Sequence, residues 1–214
     1  MEGSNLKLSI GVIVGSLVLI GGIVFAATAL EKPTQVDVAE TVGTVEGTNT
    51  QGKPESEIVI VEFSDFQCPA CGAAFPEVKE FVEQYADQVQ FVYRHFPLPQ
   101  HGNARPAAYA AESAGRQGRF WEVHDWLFEN QNTWSDATVD AEYFYDQLSE
   151  ELELDRDRFV SDYQSNEVRD KVALDAADAR GLGVNSTPTF FINGQKQSGV
   201  ISYDQLVELT GVSQ

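Results

Sequence analysis

Hydrophobic and polar positions divide the chain into three stretches. From Leu8 through Leu30 no charged residue interrupts the run LSIGVIVGSLVLIGGIVFAATAL, 23 positions in all. As a helix rising 1.5 Å per residue this run is about 34 Å long, enough to cross a hydrocarbon core of about 30 Å. Ala27-Thr28-Ala29 also resembles a signal-peptidase site, so a cleaved leader is the alternative. The run is longer than the usual signal core and only Lys7 precedes it as a cation, which favours an uncleaved anchor. Either outcome exports the remainder of the chain. Residues 31–56 carry two prolines, several Gly and Thr and no sustained periodicity, and predict a linker.

From Glu57 onward the pattern is that of a folded domain. Ile58-Val59-Ile60-Val61-Glu62-Phe63 is a short apolar run rich in β-branched residues, as expected of a strand buried on both faces. Phe75, Val78, Phe81, Val82 and Tyr85 then recur at helical spacing and predict a helix over 69–85. Val89–Tyr93 predicts a second strand and closes a strand–helix–strand unit. Residues 103–182 predict only helices, over about 104–116, 120–131, 140–149, 156–164 and 167–180. Thr189–Ile192 predicts a third strand, Asn193-Gly194 a hairpin turn, and 195–201 a fourth strand. Ser202 is placed to cap a last helix over 203–209.

Composition narrows the function. The chain has 214 residues, 33 acids against 14 bases, and a net charge of −19. That balance excludes nucleic acid as a partner, because phosphate binding needs clustered Lys and Arg. Two cysteines cannot build a disulfide-rich scaffold or a four-thiolate zinc site.

Those two cysteines stand as Cys68-Pro69-Ala70-Cys71, directly after the first predicted strand and at the start of the first predicted helix. There Cys68 meets the unpaired N–H groups and the positive end of the helix dipole, which favour thiolate over thiol. Pro69 suits the first helical position. Cys71, one turn inward, is expected to be more buried, with the higher pKa, and to act as the resolving thiol. Structural zinc with His95 and His101 is a weaker reading, because the gap from Cys71 to His95 exceeds the usual spacing. An inert disulfide would add little stability across so small a loop. His95 reads as a core histidine, and Phe120, Trp121, Trp126 and Phe128 read as core of the helical segment. No metal is expected.

A second motif, Thr187-Pro188-Thr189-Phe190-Phe191-Ile192-Asn193-Gly194, precedes the predicted hairpin. C-P-x-C after a strand, a helical insertion, and T-P-T-F-F-I-N-G before a hairpin together resemble the DsbA-like thiol–disulfide oxidoreductases of the thioredoxin superfamily, over about residues 57–212. Tyr93-Arg94-His95-Phe96-Pro97-Leu98 also resembles the family's segment after the second strand. The resemblance implies a cis peptide bond before Pro188, facing the cysteines, with the Thr187 backbone free to pair with an extended substrate. It also implies that Glu62, the acid interrupting the first strand, exchanges a proton with Cys71; a partly exposed strand-end carboxylate is the alternative. A carboxyl buried there without a partner should ionise at raised pH. Asp65 is assigned to the turn. Ala70 stands where the best-known members have histidine, which implies a less oxidising site.

The resulting expectation is an α/β thioredoxin-like fold with an all-helical insertion at about 103–182, occupying 57–214. It is preceded by a tail (1–7), a transmembrane helix or signal peptide (8–30) and a linker (31–56). The chain is expected to be a single-pass membrane protein with an extracytoplasmic domain that exchanges disulfides with exported cysteine-containing proteins, as an oxidase. No bound cofactor is required. Electrons would pass to a membrane partner resembling DsbB or a quinone-linked equivalent. A reductase or isomerase, or a non-catalytic peptide-binding module, are the alternatives.

Overall fold

The computed structural model describes residues 49–135 and 139–213. The tail, the expected span 8–30 and most of the expected linker lie outside the described residues. Among the described residues no helix is long and apolar enough to cross a membrane.

The elements follow in the order β1 (Asn49–Gly52), β2 (Ile58–Ser64), α1 (Pro69–Gln84), β3 (Val89–His95), α2 (Ala104–Gly115), α3 (Phe120–Glu129), α4 (Gln131–Trp134), α5 (Ala141–Glu151), α6 (Arg156–Gln164), α7 (Asn166–Gly181), β4 (Thr189–Ile192), β5 (Gln195–Ser198) and α8 (Tyr203–Thr210). They build one sheet in the order β1-β3-β2-β4-β5. β2 and β3 run parallel, joined through α1, while the β1–β3, β2–β4 and β4–β5 pairs are antiparallel. The helical segment between β3 and β4 contains no strand among its described residues, as the sequence predicts.

Side chains alternate across β2. Ile60 faces the larger apolar cluster, with Phe81 and Val82 of α1 and Leu127 and Phe128 of α3. Val61 and Phe63 face a smaller cluster with Ala176 and Ala179 of α7. This two-sided burial is why β2 reads as a continuous apolar run. β4 and β5 are joined by Asn193 and Gly194, with φ of 48° and 79°, the left-handed pair that a two-residue hairpin requires. Ser202 caps α8 through a full capping box with Gln205.

Four boundaries differ from the sequence reading. The segment read as linker contains β1, three polar residues and a glycine paired antiparallel to β3, so the sheet starts at Asn49 and not at residue 57. No apolar run marks β1, because backbone pairing at the sheet edge makes it. β3 extends to His95, held by register with Ser64. β5 stops at Ser198, because Gly199 turns at φ 93° and donates its N–H to Pro188 O. α3 ends at Glu129, and Gln131–Trp134 forms a separate short turn of helix.

Candidate active site

Cys68 is the residue immediately before α1, in extended conformation (φ −71°, ψ 122°), and Pro69 occupies the first turn. Its N–H donates to Asp65 O at 3.0 Å and its carbonyl accepts from Gly72 N at 3.1 Å. Both cysteines are free thiols, Cys68 7% and Cys71 1% exposed. The loop before them is pinned by Asp65, which is itself buried. Its carboxylate accepts from Gln67 N (2.8 Å), Leu98 N (2.9 Å) and His101 Nδ1 (2.7 Å). Asp65 thus belongs to the turn, as the sequence suggests, and also ties it to the loop after β3.

The Thr187–Pro188 peptide bond is cis. Thr187 O lies 3.5 Å from Cys68 Sγ, within reach of its S–H. The second motif therefore meets the first across 119 positions of sequence.

The two thiols are driven apart in acidity. Cys68 is lowered to about 5 from an ordinary 9.0, first by the hydrogen bond from the Cys71 thiol, then by Thr187 and the N–H groups of Cys71 and Ala70, against the opposing effect of burial. The helix start contributes as the sequence predicts, but the second thiol contributes more. Cys71 is pushed well above its ordinary value by burial, by Cys68 and by the negative charge of Glu62. Glu62 is 5% exposed, so it is not a strand-end surface carboxylate. No cation lies against it among the described residues, and burial raises it to about 7. The neighbouring Ser64 hydroxyl pulls the other way without meeting hydrogen-bond geometry.

Gln131 is a site residue that the sequence does not announce. Its Nε2 donates to Phe66 O at 2.7 Å and Cys68 O at 3.0 Å, clamping the loop from the helical insertion. A Cβ at position 72 would meet Gln131 Oε1 at 2.6 Å, so Gly72 makes room for the clamp. Gln67 is held similarly, by Ser135 O (2.6 Å) and Asn103 N (2.6 Å). A glutamine leaves no periodic mark, so no sequence signal distinguishes these clamps from ordinary surface polarity. His124 is likewise unannounced: it sits inside the aromatic cluster read as core, its ring 4.8 Å from that of Tyr93.

The other histidines stay apart from the thiols. His95 Nε2 pairs with Glu112 at 2.8 Å, and His101 with Asp65. His95, Glu112 and Asp175 bring donor atoms within 4.8 Å of one another. The Lys171 ammonium lies 2.6 Å from Asp175 and 3.8 Å from Glu112, and Arg94 Nε lies 2.6 Å from Asp175, so cations already pair with these carboxylates.

A low-pKa thiol at a helix start beside a more deeply buried thiol, with a carboxyl behind, can accept and return disulfides by thiolate exchange. Comparison with known proteins agrees. The family described as Thioredoxin matches residues 44–210. A thioredoxin-like oxidoreductase from Silicibacter pomeroyi is 29% identical with a TM-score of 0.66, covering 78% of this chain and 92% of its own. Pseudomonas aeruginosa DsbA2 is 28% identical with a TM-score of 0.62, covering 77% of this chain and 93% of its own. Among curated relatives, a Na(+)/H(+) antiporter NhaA 3 of Salinispora tropica is 38% identical over 159 residues, 74% of this chain. The chain spans 23% of that relative's length.

Proposed function

The chain belongs to the thioredoxin family, among its DsbA-like thiol–disulfide oxidoreductases, and from that premise we propose that it oxidises the thiols of exported proteins through Cys68 and Cys71. The observation that carries this reading is the placement of Cys68 at the start of α1, 3.5 Å from Thr187 O beside the cis bond to Pro188, with Cys71 buried behind it; the split in acidity between the two thiols accords with it. A substrate thiolate attacks Cys68 Sγ of the oxidised pair. The Cys68–Cys71 bond breaks, and the leaving Cys71 sulfur takes a proton from Glu62. A second substrate thiolate attacks the substrate sulfur of the mixed disulfide, and Cys68 leaves as thiolate. Its low pKa makes it a good leaving group and stabilises the reduced pair, which is what an oxidant requires. The substrate loses two electrons and the protein gains them.

An extended substrate segment would pair with the Thr187 backbone, beside Cys68. Val200, 53% exposed, follows Gly199, whose N–H donates to Pro188 O, so an apolar side chain is offered next to that strand. The charge-free run at 8–30 supports a membrane anchor with the domain outside the cytoplasm. A membrane partner resembling DsbB or linked to quinone would then reoxidise the pair.

The test is the reduction potential of the full chain together with trapping by Cys71→Ser. An oxidase has a potential well above about −270 mV and accumulates mixed disulfides through Cys68 in the variant. A thioredoxin-like value would turn the reading toward a reductase. Absence of any trapped partner would leave a peptide-binding module.

A further inference from the structure

Cys71 is 1% exposed, so neither it nor its proton reaches bulk water through the mouth of the site. Glu62 has another outlet. A cavity of about 210 Å³ lies between α1, α3 and the β1–β3 edge, and Glu62 and His124 both line it. Its outer rim carries Lys79 and the exposed Glu83, so it runs from the surface to the buried carboxyl. Trp121 and Phe128 wall it. This volume accommodates several water molecules.

His124 is oriented for transfer. Its Nδ1 lies 2.8 Å from Asp125 Oδ1, an acceptor-only carboxylate oxygen, so Nδ1 carries the hydrogen and Nε2 keeps its lone pair. Asp125 in turn is held by Lys79 at 2.7 Å. Near Glu62, the hydroxyls of Ser64 and Tyr93 are buried without hydrogen-bond partners among the described residues. Ser64 lies two positions along the same face of β2, and Tyr93 is the register partner of Glu62 on β3. Buried hydroxyls without protein partners are those that an ordered water chain satisfies.

The geometry points to this cavity as the proton route of the thiol pair, with His124 as the group that carries the proton between Glu62 and solvent. The inference rests on Glu62 serving Cys71 as proposed above. In the reduced chain a Glu62 that is still protonated first passes its proton through cavity water to His124 Nε2. The imidazolium releases it to bulk and returns to the neutral ring. The freed carboxylate then takes the S–H proton of Cys71. The Cys71 thiolate attacks Cys68 Sγ of the mixed disulfide, the Cys68–Cys71 bond forms and the partner leaves as thiolate. Glu62 keeps this proton for the next opening of the disulfide.

The groups facing this path are Cys71, Lys79 and Glu83 on α1, Ser64 on β2, Tyr93 and His95 on β3, and Asp125 on α3. Burial lowers the pKa of His124, with His95 and Lys79 acting in the same sense and Asp125 opposing. The ring is therefore neutral, and able to accept, at neutral pH.

Rapid-quench kinetics of the reduced full chain with oxidised glutathione separate attack by Cys68 from resolution by Cys71. In His124→Ala, attack should be unchanged and resolution slowed about tenfold or more near neutral pH, a modest share of what acid–base catalysis supplies. Imidazole, small enough for the cavity, should restore it. His124→Phe keeps an aromatic ring and removes the acceptor, so it should slow resolution without rescue, the more so toward lower pH. Wild-type resolution in His124→Phe, slowing in His124→Ala that imidazole does not relieve, or slowing that pH leaves unchanged would each overturn the route. Failure of the wild-type chain to form the mixed disulfide at all would instead fault the oxidoreductase reading.

Discussion

The two faces of β2 and β3 bury charge in opposite ways. On the face toward α7, Arg94 is wholly buried and its Nε donates to Asp175 Oδ1 at 2.6 Å, while Nη2 pairs with Asp178. Asp175 also accepts from Lys171 Nζ at 2.6 Å and from His95 N at 3.1 Å. On the face toward α1, one position away along each strand, Glu62 stands opposite Tyr93 with no cation against it among the described residues. Both carboxyls are almost fully buried. One is paired and is part of the frame. The other is left to desolvation and ionises near neutral pH. Burial alone therefore does not identify a chemical group; burial without a counter-charge, under a thiol, does.

Breaking the paired face should have the largest effect. Asp175→Ala leaves the Arg94 guanidinium buried with part of its pairing gone, and the expected loss is about 3–5 kcal/mol of stability. Urea unfolding of the full chain measures it. Thiol reactivity of the fraction that stays folded should be unchanged, since the network lies on the opposite face.

The unpaired face should reveal itself through pH. Glu62 ionises near 7 in the folded chain against an ordinary 4.5, so the folded state keeps a proton that the unfolded state releases. Its contribution to stability is complete below about pH 4.5 and falls by about 1.4 kcal/mol per pH unit as pH rises through the window. It levels off above about pH 7, after a total of about 3 kcal/mol. Glu62→Gln should abolish this slope in urea unfolding of the reduced chain at a series of pH values, and should slow resolution by Cys71. An unchanged slope would mean that Glu62 is paired after all, and the contrast between the faces would collapse.

The smallest effect concerns the source of the Cys68 acidity. Because the Cys71 thiol is its largest cause, Cys71→Ala should raise the Cys68 pKa clearly above about 5. Cys71→Ser, which keeps a donor, should raise it less. Ultraviolet titration of the thiolate distinguishes the two. Equal values in both variants would return the effect to the helix start alone.

The contrast between the faces also explains what could be read in advance. Ile58–Phe63, the 69–85 helix, Asn193-Gly194 and Ser202 each announce themselves by local periodicity or turn chemistry, and each is found within a few residues of its expected bounds. Cys68, Cys71 and the cis peptide bond before Pro188 were legible through two motifs and the resemblance they carry. β1 was not, because Asn49-Thr50-Gln51-Gly52 becomes a strand only when β3 offers an edge. Gln131 and His124 were not, because a clamp and a cavity wall depend on where α3 and α4 fall against α1.

The sequence by itself determined the strand–helix–strand frame, the thiol pair at a helix start and the hairpin behind the second motif, because these depend on side-chain period, backbone preference and short spacing. It also showed that Glu62 interrupts an apolar strand. Only the tertiary structure decided that this acid has no counter-charge among the described residues while Asp175 has two, that Thr187 meets Cys68, and that a cavity lined by His124 reaches Glu62. Desolvation and pairing are properties of surroundings assembled from distant segments, and no local pattern encodes them.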